Sequence, residues 1–370
     1  MKLTPRLLGL AAGFALTGGM AWADSISPES YEATLNVGES VTINKTVTVD
    51  AGVLTTGLVD IFFLADSTGS MGGQINQART NANTIISGLS GLGDVHFGVG
   101  EYRDTGDAFT YRTNTALTGN ATAITTGINQ WTAGGGGDFP EANLIGLQRV
   151  AQETEWRAGS TRVVVMFGDA PGHVGRTDSK PDAFGNFLVS SEANAIAALN
   201  AEGITVHIGN TGGTGNSGMN AAAGGAAAGQ ANRIADATGG SVFALAASGA
   251  NIADLIKEAV ESTFATYNTV ALGPVGNMPG VGVEVSAPYV GEFDREETRT
   301  FDFTVTFTGL VPGTHDFVIN ALVNGGTVAT ERDRITVRGD DVPPIPLPAA
   351  GWLLLGGLGA LVAVRRRRRA

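Results

Sequence analysis

The chain has 370 residues, 54 of them glycine and none of them cysteine. That length is enough for a well-packed core and for two domains, and the missing thiols exclude disulfides, thiolate metal sites and a cysteine nucleophile. A formal charge of −12 argues against nucleic acid or an anionic lipid surface as partner.

Residues 1–23, MKLTPRLLGLAAGFALTGGMAWA, carry two early cations, an apolar middle and small residues at Ala21 and Ala23. This is the pattern of a secretory signal cleaved before Asp24, against the alternative of a first transmembrane helix, so export is expected. Residues 24–56 follow. Within them ESYEATLNVGESVTINKTVTVD alternates polar and apolar positions and is rich in β-branched residues. That is strand chemistry around a turn at Gly38.

Residues 57–265 change character. Short apolar runs (VDIFFLA, VHFGVGEY, RVVVMFG, ITVHIG, SVFAL) alternate with helical stretches at 74–89, 141–154, 190–201, 226–237 and 251–263. Buried strands alternating with helices predict an α/β fold, a doubly wound and mainly parallel sheet covered on both faces. In such sheets ligands bind beyond the C-terminal ends of the strands. The loop after the first strand reads Asp66-Ser67-Thr68-Gly69-Ser70. One carboxylate and two hydroxyls at the spacing D-x-T-x-S can converge on a small hard cation, and Gly69 lets the backbone turn tightly enough to aim them. Asp66 can also be read as a helix N-cap.

The loop resembles the metal-ion-dependent adhesion site of von Willebrand factor A domains, pattern D-x-S-x-S, with Thr68 in place of the middle Ser. GGGGDFPEA at 134–142 resembles the D-x-P-E loop of the integrin β-subunit version. RVVVMFGDAPGH at 162–173 resembles the strand that delivers the last acid. The resemblance implies metal ligands at Asp66, Thr68 and Ser70, a direct or near ligand at Glu141, and Asp169 holding a metal-bound water. The implied cofactor is one ion, Mg2+ with Mn2+ or Ca2+ as alternates. Integrin β domains carry an acidic pair where this chain has Gly73 and Gln74, and an Asn where it has Gly136; neither flanking metal site is therefore expected.

Four further residues stay open. Thr132 is a rival third-loop ligand, because other domains of the family use Thr there. Asp138 either adds to the site or caps a helix starting at Pro140. Arg103 either contacts a ligand or pairs with an acid. His173 is a ligand contact or a solvated loop histidine. Trp131 and Trp156 are expected to pack. Residues 209–229, nearly all Gly, Ala and small polar, read as a loop. Their G-x-G-x-x-G match at Gly213, Gly215 and Gly218 lies too late in the sheet for a dinucleotide site.

From about residue 268 the helical patterns stop. VGVEVSAPYV, TRTFDFTVTFTG, HDFVINALVN and ERDRITVRG read as antiparallel strands. Residues 266–340 are therefore expected to form a small β-sandwich. Residues 24–56 would complete it, with the α/β domain inserted between the two flanks; a loose N-terminal linker is the alternative.

Residues 341–370 end the chain with VPPIPLPAAGWLLLGGLGALVAVRRRRR. Ala349–Val364 is a short apolar stretch followed at once by Arg365–Arg369, which places the C-terminus on the cytoplasmic side. IPLPAAGW, an apolar helix and an Arg cluster resemble the VPLPA-type sorting signals related to the PEP-CTERM class, with Ile345 where that pattern has Val. The resemblance implies cleavage near Pro346, Leu347, Pro348 and Ala349 by an exosortase-type membrane protease. The chain would be transiently anchored in the inner membrane, then placed at the surface or outside; a permanent anchor is the alternative. Removing Lys2, Arg6 and Arg365–Arg369 would take the charge to −12 − 7 = −19.

The expected function is adhesion: the cation keeps one position free for a carboxylate on a protein or acidic polysaccharide. A metal-dependent hydrolase is the rival, and it would need a poised general base or two metals. The sequence pattern gives no His–acid pair near the site and no G-x-S-x-G elbow. The chain is therefore read as a non-enzyme. A structural coat protein with a stabilising metal is the third reading.

Overall fold

The computed structural model describes residues 23–52, 57–276 and 278–339. The expected signal segment up to residue 22 and the expected sorting signal from residue 341 lie outside the described residues. Among those described, no helix is long and apolar enough to cross a membrane.

The strands in chain order begin with β1 Ser25–Ser27, β2 Ser30–Asn36, β3 Ser40–Val49, β4 Gly57–Asp66, β5 Gly93–Tyr102 and β6 Tyr111–Thr118. They continue with β7 Thr161–Gly168, β8 Ile204–Asn210, β9 Val242–Ala244, β10 Thr266–Val275 and β11 Val281–Val285. The last are β12 Tyr289–Asp294, β13 Arg299–Gly309, β14 Gly313–Val323 and β15 Gly326–Arg338. The helices are α1 Gly72–Leu89, α2 Ala121–Asn129, α3 Asn143–Glu153, α4 Glu192–Ala201, α5 Gln230–Ala237 and α6 Ile252–Thr263.

One sheet has the order β6-β5-β4-β7-β8-β9. Its strands run parallel except β6, which is antiparallel to β5 at the edge. β4 is buried on both sides, and from Ile61 to Ala65 it reads as a continuous apolar run, as suits a central parallel strand. Val59, Ile61, Phe63 and Ala65 face one way, into a core shared with α1, α2 and α6. Phe62 and Leu64 face the other way, into a core shared with α3, α4 and α5. The doubly wound α/β architecture is thus present.

The β-rich remainder consists of two sheets, ordered β1-β3-β13-β11 and β12-β10-β14-β15-β2. β3 pairs antiparallel with β13 from Arg299↔Val49 to Thr308↔Ser40. β2 pairs parallel with β15. So β2 and β3 do not form a hairpin with each other. The chain crosses between the sheets at Gly38, whose φ of +81° suits glycine. The run VGVEVSAPYV, expected as one strand, is two: β11 and β12 lie in different sheets, with Pro288 in the crossing segment. Asp24 is tied in at the start of this body. Its carboxylate accepts two bonds from Arg295 (2.9 and 2.6 Å) and one from the Asp50 N–H (2.9 Å).

Candidate metal centre

The sheet order fixes where a site can form. β4 is flanked by β5 on one side and β7 on the other. In a sheet of this kind the loops beyond such strand ends are where a ligand binds. Asp66 closes β4, level with Tyr102 at the end of β5. Asp169 follows Gly168, the last residue of β7.

Asp66 is fully buried. Its Oδ1 accepts the Thr68 N–H at 2.9 Å and the Thr68 hydroxyl at 2.7 Å. This is an Asx-type turn; the first residues of α1 have no side-chain cap, so Asp66 is not a helix N-cap. The Ser70 hydroxyl lies 3.5 Å from that of Thr68, on the exposed side of the loop. D-x-T-x-S therefore places its three oxygen-bearing side chains together.

The 134–137 glycines fold over this loop. The Gly134 N–H donates to the Ser67 carbonyl (3.0 Å) and the Gly69 N–H to the Gly135 carbonyl (3.2 Å). Gly136 has φ +73°, and a Cβ there would stand 2.9 Å from Glu141 Oε1 and 3.2 Å from Thr68 Cβ. Only glycine lets the loop pass this close, and the same close approach shows that Glu141 reaches the Thr68 side of the site. Glu141 is fixed by its backbone: its N–H donates to the Pro171 carbonyl, and its carbonyl accepts the His173 N–H, both at 2.9 Å.

Asp66 Oδ2 and Glu141 Oε2 are buried and have no hydrogen-bond partner among the described residues. Burial pushes the Asp66 carboxyl up to about 7, with the Thr68 bonds opposing and the Asp169 charge adding. Burial also pushes Glu141 up to about 9, helped by the negative charges of Asp66, Asp104, Asp107 and Asp169. The buried Tyr102 hydroxyl, beside Asp66, is held well above its usual range by burial and then by the charges of Asp66, Glu141 and Asp169. Such a concentration of oxygens with unspent lone pairs fits a hard divalent cation.

The other open residues have different surroundings. The Thr132 hydroxyl turns back to the Gln130 carbonyl at 3.3 Å and is exposed, so Thr132 does not join the cluster. Among the described residues Arg103 pairs with no acid. It donates to the Ser67 hydroxyl (3.1 Å) and the Thr132 carbonyl (2.6 Å) and lies over the Phe109 ring, clamping the two site loops together. Asp138 caps no helix, since α3 starts at Asn143 without a side-chain cap.

His173 is not solvated; it is 4% exposed. Its Nε2 lies 3.2 Å from Asp138 and 3.5 Å from Asp104. Arg176 joins the same two acids, at 2.9 Å to Asp138 and 3.2 Å to Asp104. A His–acid pair does therefore stand beside the site, formed across separate loops. Asp107 and Arg176 had not been singled out. Asp107 accepts the Gly136 N–H (2.8 Å) and the Asp104 N–H (3.2 Å). Its short spacing from Asp104 after a strand end was the available signal. Trp131 packs edge-on against Phe167, and Trp156 packs on Phe62.

Comparison with known proteins found partial similarities and one family match. A stretch of 130 residues is 32% identical to the alpha-protein kinase vwkA of Dictyostelium discoideum, covering 34% of this chain and 20% of that protein. The chain thus spans about a fifth of that curated relative's length. Among solved structures, a von Willebrand factor type A protein from Catenulispora acidiphila aligns at TM-score 0.41 and 15% identity, over 83% of this chain and 72% of that one. The pilus adhesin SpaC of Lactobacillus rhamnosus GG, in its open conformation, aligns at TM-score 0.37 and 14% identity, over 81% and 45%. Proximal thread matrix protein 1 of the mussel byssus aligns at 0.39 and 15%, over 58% and 48%. The family model for the von Willebrand factor type A domain matches residues 60–258, more than half of the chain; the chain belongs to that family.

Proposed function

We propose that this chain is an exported adhesion module that holds one divalent cation and uses it to capture a carboxylate. Asp66, Thr68, Ser70 and Glu141 would hold the ion, and Asp169 would hold it through water. The observation that carries this reading is the pair of buried, unpartnered carboxylate oxygens, Asp66 Oδ2 and Glu141 Oε2. Burying such atoms without compensation is costly. A bound Mg2+, Mn2+ or Ca2+ would supply that compensation and an open position for one more oxygen. Ser70 lies on the exposed side, so the site opens there. Phe139 is 50% exposed, two residues before Glu141, and offers an apolar contact beside the captured carboxylate.

The fitting partner is a protein or acidic polysaccharide that presents a carboxylate. Export rests on the 1–23 segment. Surface delivery by an exosortase-type membrane protease rests on Pro346, Leu347, Pro348 and Ala349.

A metal-dependent hydrolase is favoured by one observation, the His173 pair with Asp104 and Asp138. Those acids are already engaged by Arg176. The histidine's Nε2 is likewise already engaged by these two acids, and the binding reading is preferred.

The test uses the full chain on a surface, an acidic peptide, and the same peptide with its carboxylates esterified. Capture should need both the free carboxylate and Mg2+, and EDTA should abolish it. Capture that survives esterification or chelation contradicts the proposal. A fold stabilised by Mg2+ with no capture of either peptide indicates the structural role.

A further inference from the structure

The β-rich body contains a charged cluster unrelated to the metal centre. β15 carries Glu331-Arg332-Asp333-Arg334. Alternation along a strand sends the two arginines to solvent and both acids inward. Glu331 and Asp333 are 1% and 2% exposed. Facing them from the other sheet is Lys45 of β3, 0% exposed. Lys45 Nζ lies 2.5 Å from Glu331 Oε1 and 3.6 Å from Asp333 Oδ1.

The surroundings are apolar. Lys45 lies opposite Phe303 on β13, Glu331 opposite Ile319 on β14, and Asp333 opposite Phe317 on β14. Val47 and Val49 continue the buried face of β3. The lysine nitrogen and both oxygens of each acid have no hydrogen-bond partner among the described residues. A structural ion pair in such a place normally needs further hydrogen bonds to offset its desolvation. This one has none, and it brings an amine against a carboxyl group with a second acid alongside.

We propose that Lys45 and Glu331 condense into an intramolecular amide, with Asp333 moving the protons. The reaction starts from a Lys45 ammonium, an Asp333 carboxylate and a neutral Glu331 carboxyl. Asp333 takes one ammonium proton, which frees the Nζ lone pair. Nζ then bonds to Glu331 Cδ, and a Cδ–O bond breaks. Asp333 passes its proton to the departing hydroxyl, which leaves as water, and takes the second amine proton in return. The products are an amide, water and a neutral Asp333, so atoms and charge balance with no redox partner. Burial holds the Glu331 carboxyl up, to about 7, which favours its neutral, electrophilic form. The products carry no buried charge, so the apolar site favours them.

The bond would join β3, which leads toward the inserted α/β sheet, to β15, the last strand. Tension applied between that sheet and whatever follows residue 339 would then run through a covalent tie and not through sheet contacts alone.

The test is peptide mass analysis of the denatured full chain after trypsin. The expected result is a branched peptide joining Lys45 to Glu331, one water lighter than its two parts, with no cleavage after Lys45. Wild-type protein giving free Lys45 and Glu331 peptides overturns the proposal, and so does a link to Asp333. Asp333→Ala keeps both reacting groups and should lose the branched peptide; unimpaired linkage in that variant overturns the role given to Asp333.

Discussion

Asp66 spends one oxygen on Thr68 and leaves the other unpartnered. That division makes it the residue on which the proposed site turns. Glu141 approaches from a second loop, while Thr132 turns away. Glu141→Ala should therefore weaken Mg2+ binding, by about 1.5–3 kcal/mol if the lost ligand is worth as much as a hydrogen bond to a charged group, and Thr132→Ala should leave it nearly unchanged. Calorimetric titration of both variants checks this; the reverse ranking would make the site a threonine type. The raised carboxyls also set a pH dependence. Between about pH 4 and the values of about 7 for Asp66 and about 9 for Glu141, the metal-free native state holds protons that the unfolded chain has released. Stability of the metal-free protein should thus fall as pH rises through that window, and saturating Mg2+ should reverse the fall. Melting curves across pH with Mg2+ and with EDTA test this, and parallel curves would contradict it. The D-x-T-x-S triplet was legible because its residues share one loop. His173 and Asp138 were singled out as candidate contacts, but their pairing with each other, Asp104 and Arg176 was not legible, because it crosses separate loops. Spacing along the chain does not report such pairs.

At the scale of elements, the central strands were readable because burial on both faces makes them continuous apolar runs. β6 was not expected; YRTNTALT is a polar edge strand with little apolar alternation. α2 follows it without an acidic or basic signal, capped by the Asn120 side chain. β10 was missed because Gly273 and Pro274 interrupt its pattern. The strand tolerates Pro274 because β12 pairs only as far as Val270, leaving that edge free. The N-terminal strands read as strands, but their split between two sheets depends on partners 250 or more residues away, as Arg299 is from Val49; Thr42 Oγ1 and Thr306 Oγ1, 264 residues apart in the chain, lie 2.8 Å from each other. This pairing predicts the effect of truncation. A chain beginning at Gly57 removes β1, β2 and β3, so β13 and β15 each lose a neighbour. Residues 266–339 should then unfold or aggregate while the six-stranded sheet still folds. Two thermal transitions unchanged from those of the full chain would refute the dependence.

At the scale of the molecule, two expectations meet: export through the ends and cation-dependent capture through the inserted sheet. If the tail is a sorting signal, intact-mass analysis of surface or released protein should find a C-terminus near Pro346–Ala350. Replacing Pro346-Leu347-Pro348 by alanines should leave unprocessed protein in the inner membrane; a mature species that retains Trp352 and the arginines would mark a permanent anchor instead. The account as a whole stands on the cation. Its most direct test is calorimetric titration of Mg2+ into the full chain at neutral pH, beside Asp66→Ala. The wild type should bind one ion per chain. The variant should stay folded by circular dichroism and bind none, because it loses both the unpartnered oxygen and the acceptor that orients Thr68. Unchanged Mg2+ affinity in Asp66→Ala, or a wild type that binds no divalent ion, would contradict the account.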